Sequence, residues 1–155
     1  MIELDWLTED EQRVYGAFSR MSRELFNHFD CDLKRDVGVP RTYYEILFVL
    51  GAAPQGRMRL ANLAAATKSA PSRITHAVGV LERDGLVLRR ASNTDRRGWT
   101  AELTDRGIEV LQAAAARHAR SVREYLLDVL NEHQREELRR ISEKVEARIA
   151  EVATG

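Results

Sequence analysis

Residues 69–107, SAPSRITHAVGVLERDGLVLRRASNTDRRGWTAELTDRG, decide the fold. The first third of this stretch carries apolar side chains at helical spacing: Ile74, Ala77, Val78 and Leu81. The spacing predicts a helix with one buried face. Ser69 is its expected N-cap, Pro71 is suited to its first turn, and Gly85 to a left-handed C-cap.

Beyond that helix the apolar period changes to that of strands. Leu86–Ser92 and Trp99–Leu103 predict two strands, and the segment 93–98 that joins them contains the turn residues Asn, Asp and Gly. The sequence therefore predicts a β-hairpin, and two arginines, Arg96 and Arg97, lie at its tip.

Helices are predicted on the N-terminal side of this centre. Thr8 and Glu11 form a capping box that opens a long helix, which is expected to run to about Arg35. The run GVP at 38–40 breaks it, and shorter helices are predicted over 41–50 and 60–68.

On the C-terminal side, Thr104 is expected to cap a second long helix. A heptad seam extends along it: Ile108, Leu111, Ala115, His118, Val122, Tyr125 and Val129. Asn131 and Gln134 form a second capping box, and the helix that follows has an apolar stripe: Leu138, Ile141, Val145, Ile149 and Val152. Without a large sheet to cover them, these stripes are expected to pack on one another, within a chain and across a dimer.

The charge distribution points to an anionic partner. The 155 residues carry no net charge, yet residues 57–106 contain ten Lys and Arg against five Asp and Glu. A basic centre between acidic flanks is typical of an anion-binding module, although a solvated surface remains the plainer interpretation.

Composition limits the other classes of protein. No apolar run is long enough to span a membrane, the acidic N-terminus does not resemble a signal peptide, and a single cysteine fits a reducing compartment, so a cytoplasmic location is expected. No glycine-rich phosphate loop, metal-ligand cluster or nucleophile elbow is present. We therefore expect no enzyme activity, no cofactor and no bound metal.

The outer face of the predicted helix 69–84 has the chemistry of a DNA-reading surface. Ser72 and His76 lie opposite the apolar face, and Ser69, Thr75 and Gly79 lie beside them. Arg73 lies at the edge of the same face. Short hydrogen-bonding side chains, a glycine that permits close approach and an arginine suit a helix that enters the major groove.

The central stretch resembles the MarR family of bacterial transcriptional regulators. The family pattern is Asp-x-Arg in the wing, here Asp95 and Arg97, followed by Leu-Thr-x-x-Gly, here Leu103, Thr104 and Gly107. The resemblance implies a mainly α fold with a small β-hairpin wing, in which a winged helix-turn-helix domain joins N- and C-terminal dimerisation helices. It covers almost the whole chain, and implies a dimerisation helix over 1–36, a DNA-binding domain over 40–104 and dimerisation helices over 105–155, integrated into one domain.

The resemblance also implies roles for single residues. Arg96 and Arg97 would approach the minor groove, and Asp95 would orient Arg97. The major-groove residues would be Ser72, Arg73, Thr75 and His76, with Ser69 at the start of their helix. For Arg89 and Arg90, at the base of the wing, a phosphate contact and a salt bridge within the fold are both open.

The implied function is that of a repressor. It would bind a pseudo-palindromic operator in double-stranded DNA as a homodimer, and a small aromatic or phenolic effector would release it. Candidate effector-binding residues are Trp6, Tyr15, Phe26, His28, Tyr43, Tyr44, Arg57 and His118. His118 interrupts an apolar seam, so it is either hydrogen-bonded within the fold or a contact for a ligand or a proton.

Two alternatives to a ligand-released repressor stay open. One is a helical dimeric adaptor that does not bind DNA. The other is a redox sensor that uses Cys31, although the neighbouring Asp30 and Asp32 favour the thiol over the thiolate.

Overall fold

The computed structural model describes residues 6–91 and 98–153. The described chain is mainly helical with one small sheet, as predicted. The helices are α1 (Glu9–Val37), α2 (Arg41–Ala52), α3 (Leu60–Ala66), α4 (Pro71–Arg83), α5 (Asp105–Val122) and α6 (Glu132–Ala153), and the strands are β1 (Arg57–Arg59), β2 (Val87–Ala91) and β3 (Trp99–Leu103). A 3₁₀ turn, Pro54–Gly56, precedes β1, and a π-helical turn, Arg123–Leu127, follows α5.

The predicted ends of α1 are confirmed. The Thr8 hydroxyl accepts a hydrogen bond from the Glu11 amide at 3.4 Å, and the Glu11 carboxylate accepts one from the Thr8 amide at 2.8 Å. At the other end Gly38 has a φ of 77° and donates its N–H to the Lys34 carbonyl at 3.1 Å. Glycine has no side chain and adopts this left-handed conformation at little cost, so the helix ends at Gly38.

The sheet is antiparallel and has the order β1-β3-β2. The hairpin of β2 and β3 is the predicted one, whereas β1 was not predicted. Met58 of β1 pairs with Ala101 of β3. A three-residue strand is too short to show an alternating pattern in the sequence, so only the sheet partner reveals it.

One apolar core underlies the centre of the chain. Its buried members include Leu33, Leu47, Leu50, Leu63, Ile74, Val78, Leu81, Val87, Ala101 and Ala114. The predicted inner face of α4 belongs to this core, and the opposite face of α4 is therefore turned outward.

A tight joint connects the end of α4 to the start of α5. Thr104 donates its hydroxyl to the Gly85 carbonyl at 2.7 Å and accepts the Gly107 amide at 2.9 Å, which confirms Thr104 as the cap. The Thr104 amide donates to the Leu86 carbonyl at 3.1 Å. A Cβ added at Gly107 would lie 2.0 Å from that same carbonyl oxygen, so only glycine fits there.

A buried ionic cluster ties α1 to α5. The Arg117 guanidinium lies 2.7 Å from the Asp32 carboxylate and 2.5 Å from that of Asp36. Arg35 binds the same two aspartates at 2.9 and 2.7 Å. The side chains of Arg117 and Asp32 are only 9% and 4% exposed, so the two charges depend on each other for stabilisation.

The chain divides into two compact units, Met1–Ala119 and Arg120–Gly155. In the second unit, Asn131 and Gln134 exchange the hydrogen bonds of the predicted capping box at 3.0 and 2.9 Å. The predicted α-helical seam up to Val129 is wrong beyond Val122, because Asp128 donates its N–H five residues back, to Arg123, and the turn widens to a π-helix. The division into functional segments stays a prediction.

Large apolar side chains remain exposed on both units. On α1 they are Val14, Phe18 and Met21, and on α6 they are Ile141, Val145, Ile149 and Val152. Four of the five residues in the predicted stripe of α6 are thus exposed.

The described residues contain neither a membrane-spanning helix nor a metal-binding group. None of their helices combines the length and apolar character that crossing a bilayer requires. Their His, Cys, Asp and Glu side chains nowhere gather in a group of three or more suited to a metal ion.

Candidate nucleic-acid interface

The N-terminus of α4 differs from the prediction by one residue. Ala70 is the N-cap and Pro71 is the first helical residue, so the expectation that Ser69 caps the helix is wrong. The Ser69 hydroxyl instead donates to the Thr67 carbonyl at 3.2 Å, in the turn where Lys68 has a φ of 49°. No side chain caps the N-terminus of α4, so its positive end is open to an anion.

The predicted DNA-reading side chains of α4 share one exposed surface. Ser72, Arg73, Thr75 and His76 are all exposed. The Thr75 hydroxyl donates to the Pro71 carbonyl at 3.0 Å, which fixes the direction of this side chain. Gly79 follows on the same side of the helix, and nothing lies within 4 Å of the position that a Cβ would occupy there.

A crevice of about 510 Å³ runs along this surface, between α4 and α2. Its lining includes Ser69, Ser72, Arg73 and His76, so the structure brings together four of the predicted DNA-contacting residues. Tyr43, predicted as an effector contact, lines the same crevice.

The base of the wing is held by two ion pairs. Arg89 reaches Glu82 of α4 with its Nε at 3.0 Å, and Arg90 reaches Glu102 of β3 at 3.1 Å. Of the two readings left open for these arginines, the salt bridge is therefore present for both. The Arg90 side chain is still 64% exposed and that of Arg89 32%, so both keep surface for a further contact.

The tip of the wing lies outside the described residues. This applies to Asp95, Arg96 and Arg97, whose predicted roles stay predictions.

Within the described part of the chain, two of the predicted effector residues line one cleft. Tyr44 and His118 line a cleft of about 400 Å³ together with Phe48 and Lys68, which were not predicted. The rings of Tyr44 and His118 are 5.1 Å apart. The sequence offered no signal for Phe48 and Lys68, because they lie on α2 and in the turn before α4 and meet only in the fold.

The remaining effector candidates lie elsewhere. Phe26 carries the Arg41 guanidinium over its ring at 4.8 Å and contacts Phe29 edge-on. The others do not line the cleft: Trp6, Tyr15, His28 and Arg57, all exposed. Cys31 is exposed on α1.

His118 is the unusual group of the cleft. Within the described chain its Nδ1 is buried and makes no hydrogen bond. Burial, and secondarily the positive charge of Arg41, lowers the pKa of His118 below its ordinary value. His118 therefore lines the cleft as a neutral imidazole.

The chain is similar in sequence and fold to known proteins. A family profile described as "MarR family" matches residues 37–98. The crystal structure of Sco3205, a MarR family transcriptional regulator from Streptomyces coelicolor in complex with DNA, is 38% identical, with a TM-score of 0.88 and coverage of 93% of this chain and 94% of that one. AbsC, a MarR family transcriptional regulator from the same organism, is 32% identical, with a TM-score of 0.87 over 95% and 99% of the two chains.

A curated relative agrees with these structures. The HTH-type transcriptional regulator MhqR of Bacillus subtilis is 29% identical over 128 residues, which are 83% of this chain and 86% of the relative. The matches extend over both the winged centre and the flanking helices.

Proposed function

Since the chain belongs to the MarR family of transcriptional regulators, with its winged helix-turn-helix fold and regulatory rather than enzymatic role, we propose that it is a repressor. In this proposal it binds a pseudo-palindromic operator as a homodimer and leaves it when a small aromatic or phenolic effector binds. It acts on chromosomal DNA, in the cytoplasm.

The outward face of α4 is the observation that carries the proposal. Its buried side is fixed by Ile74 and Val78, so Ser72, Arg73 and His76 must face solvent. A relative with 38% identity forms a complex with DNA. Helix side chains of these types read base edges in the major groove, and the open N-terminus of α4 attracts a phosphate.

Pairing of two chains is supported by the apolar side chains left in solvent. Val14 and Phe18 on α1, and Ile149 and Val152 on α6, are each more than 60% exposed. A twofold pair would cover such surfaces and place two copies of α4 about one turn of DNA, ~34 Å, apart.

The effector part of the proposal is supported by the cleft at Tyr44 and His118. Aromatic rings line it, Lys68 supplies a positive charge, and the imidazole of His118 forms part of its wall. An aromatic compound with a hydroxyl or carboxylate group matches these features. It would release DNA by favouring a conformation with unsuitable spacing of the two α4 helices.

The first test of the proposal is selection of a DNA duplex by the purified protein. The full chain should enrich a duplex with an inverted repeat from a randomised pool, and footprinting should show two half-sites about 10 base pairs apart. Arg73→Ala should alter the preferred sequence. If the chain enriches no duplex, the proposal fails.

A further inference from the structure

The Arg89 side chain is held on two sides by residues of two different elements. Glu82 of α4 accepts the Arg89 backbone N–H at 3.2 Å and the Nε–H at 3.0 Å. The ring of Trp99, on β3, lies 5.1 Å from the centre of the Arg89 guanidinium. Glu82 thus fixes one edge of the guanidinium, and Trp99 covers one face.

The strand register explains why Trp99 reaches Arg89. Arg89 pairs with Ala101, and Ala91 pairs with Trp99, so Arg89 and Trp99 are diagonal neighbours on one face of the sheet. Ala101 is fully buried, which identifies this face as the one turned toward the core and α4. Trp99 itself is 48% exposed, a high value for a large aromatic side chain on the inner face of a sheet.

The free part of the guanidinium points to a ligand. Within the described residues, Nη1 and Nη2 of Arg89 donate no hydrogen bond, although the Nε–H and the backbone N–H both bind Glu82. A guanidinium with one edge bound and both terminal nitrogens unused presents donors in the geometry that a phosphate oxygen accepts.

The position of Arg89 defines which phosphate that is. If α4 occupies a major groove and the wing the adjacent minor groove, the DNA strand between the two grooves passes between α4 and the sheet. Arg89 bridges these elements, because it starts on β2 and ends on Glu82 of α4. In that arrangement its terminal nitrogens would lie near the backbone of that strand.

We propose that Trp99 is a positioning residue for DNA binding: its indole, together with Glu82, holds the Arg89 guanidinium as a clamp for the phosphate between the two grooves. The inference rests on the proposed function. Trp99 acts through Arg89, so its effect depends on the presence of that arginine.

The test compares Trp99→Leu and Trp99→Phe in the full-length chain, with the duplex that the wild-type protein enriches from a randomised pool. Leucine keeps apolar bulk without a π face, and phenylalanine keeps the face. Trp99→Leu should weaken binding about threefold to fivefold, in line with the loss of a cation–π contact. Trp99→Phe should recover most of this loss.

Salt dependence separates positioning from a general loss of structure. Trp99→Leu should lower the slope of log affinity against log salt by about 0.5 to 1, the share of one phosphate contact. In an Arg89→Ala background, Trp99→Leu should have no further effect on affinity or slope. The matched control is Leu88→Ala, because Leu88 is exposed on the opposite face of β2, the strand of Arg89. This change should leave the affinity and the salt slope unchanged.

Three results overturn the inference: an unchanged salt slope in Trp99→Leu, equal behaviour of the leucine and phenylalanine variants, or a further loss in the Arg89→Ala background. If circular dichroism shows that Trp99→Leu does not fold, the DNA affinity and salt slope of Arg89→Lys test the inference instead. Lysine keeps the charge but not the stacked fork, so binding at the wild-type level and slope would contradict the clamp. A wild-type chain that enriches no duplex refutes the proposed function instead.

Discussion

At the scale of single residues, Gly79 separates the demands of folding from those of DNA binding. A Cβ at this position meets nothing within 4 Å, and glycine inside a helix costs about 0.5–1 kcal/mol relative to alanine. Gly79→Ala should therefore raise the melting temperature by about 2–4 °C. It should also weaken DNA binding, because the added methyl group projects on the side of Ser72 and His76.

Thermal unfolding and fluorescence anisotropy with the enriched duplex measure these two effects on one preparation. A more stable Gly79→Ala protein that binds DNA at full strength would show that the helix does not approach DNA closely at this point.

His118 should make the stability of the fold depend on pH. Burial lowers the pKa of His118 in the folded chain, so below about pH 6.5 the unfolded chain binds more protons than the folded one. The stability that the neutral imidazole contributes is complete above pH 6.5 and is lost as the pH falls toward the lowered pKa. His118→Phe should reduce the decline in urea midpoint between pH 7.5 and 5.5, in scans at ~0.5 unit steps.

Matched urea curves of His118→Phe and the wild-type chain provide the comparison at every pH. Parallel declines in both proteins would assign the pH dependence to other groups. His133, in the exposed part of α6, offers a control as His133→Phe and should follow the wild-type curve.

At the scale of elements, the Arg117 cluster is expected to be the main polar tie between α1 and α5. Arg117→Met leaves the buried Asp32 carboxylate with less compensation, and the removal of one partner from a buried pair costs about 3–5 kcal/mol. Urea unfolding measures this loss. Arg139→Met, in an exposed ion pair of α6, should cost at most about 1 kcal/mol.

Equal destabilisation by these two variants would contradict the assignment. The Asp36 carboxyl reflects the same cluster. Its hydrogen bonds with Arg35 and Arg117 hold its pKa well below its usual range.

Sequence patterns predicted four ends of elements from a local signal, although Ser69 is not the cap it was predicted to be. Thr8, Gly38, Thr104 and Asn131 each act through hydrogen bonds or backbone angles within a few residues, and each end is found near its predicted position. The π-helical turn at Arg123–Leu127 has no such local signal, because the apolar heptad continues through it.

The exposed face of α4 was predictable for a similar reason. Its inner residues obey a helical period, so the outer face follows from them. The partners Glu82 and Trp99 of Arg89 were not predictable, because they depend on the sheet register and on the packing of α4 beside the strands. The same holds for the cleft at Tyr44. It brings Tyr44 together with Lys68 and His118, which lie 24 and 74 positions further along the sequence.

At the scale of the whole molecule, the uncovered apolar stripe of α6 predicts that two chains associate. Val145→Lys places a charge in this stripe, so it should shift the protein from dimer to monomer in sedimentation velocity and weaken operator binding by more than tenfold. Ala147→Lys adds the same charge on the opposite, exposed side of the helix and should remain dimeric.

A wild-type chain that sediments as a single copy, or a Val145→Lys protein that remains a dimer, would remove α6 from the pairing surface. Operator binding by a monomeric variant at wild-type strength would contradict the twofold reading of DNA.

The joint at Thr104 and Gly107 has a mechanical consequence. The 18 residues of α5 form a helix about 27 Å long. Thr104, just before its first residue, is hydrogen-bonded to the carbonyls of Gly85 and Leu86, and Gly107 packs directly against the Leu86 carbonyl. A tilt of α5 would therefore also shift the end of α4 and the start of β2, to which its first turn is attached. One methyl group at position 107 would collide with the Leu86 carbonyl oxygen and force the start of α5 away from it.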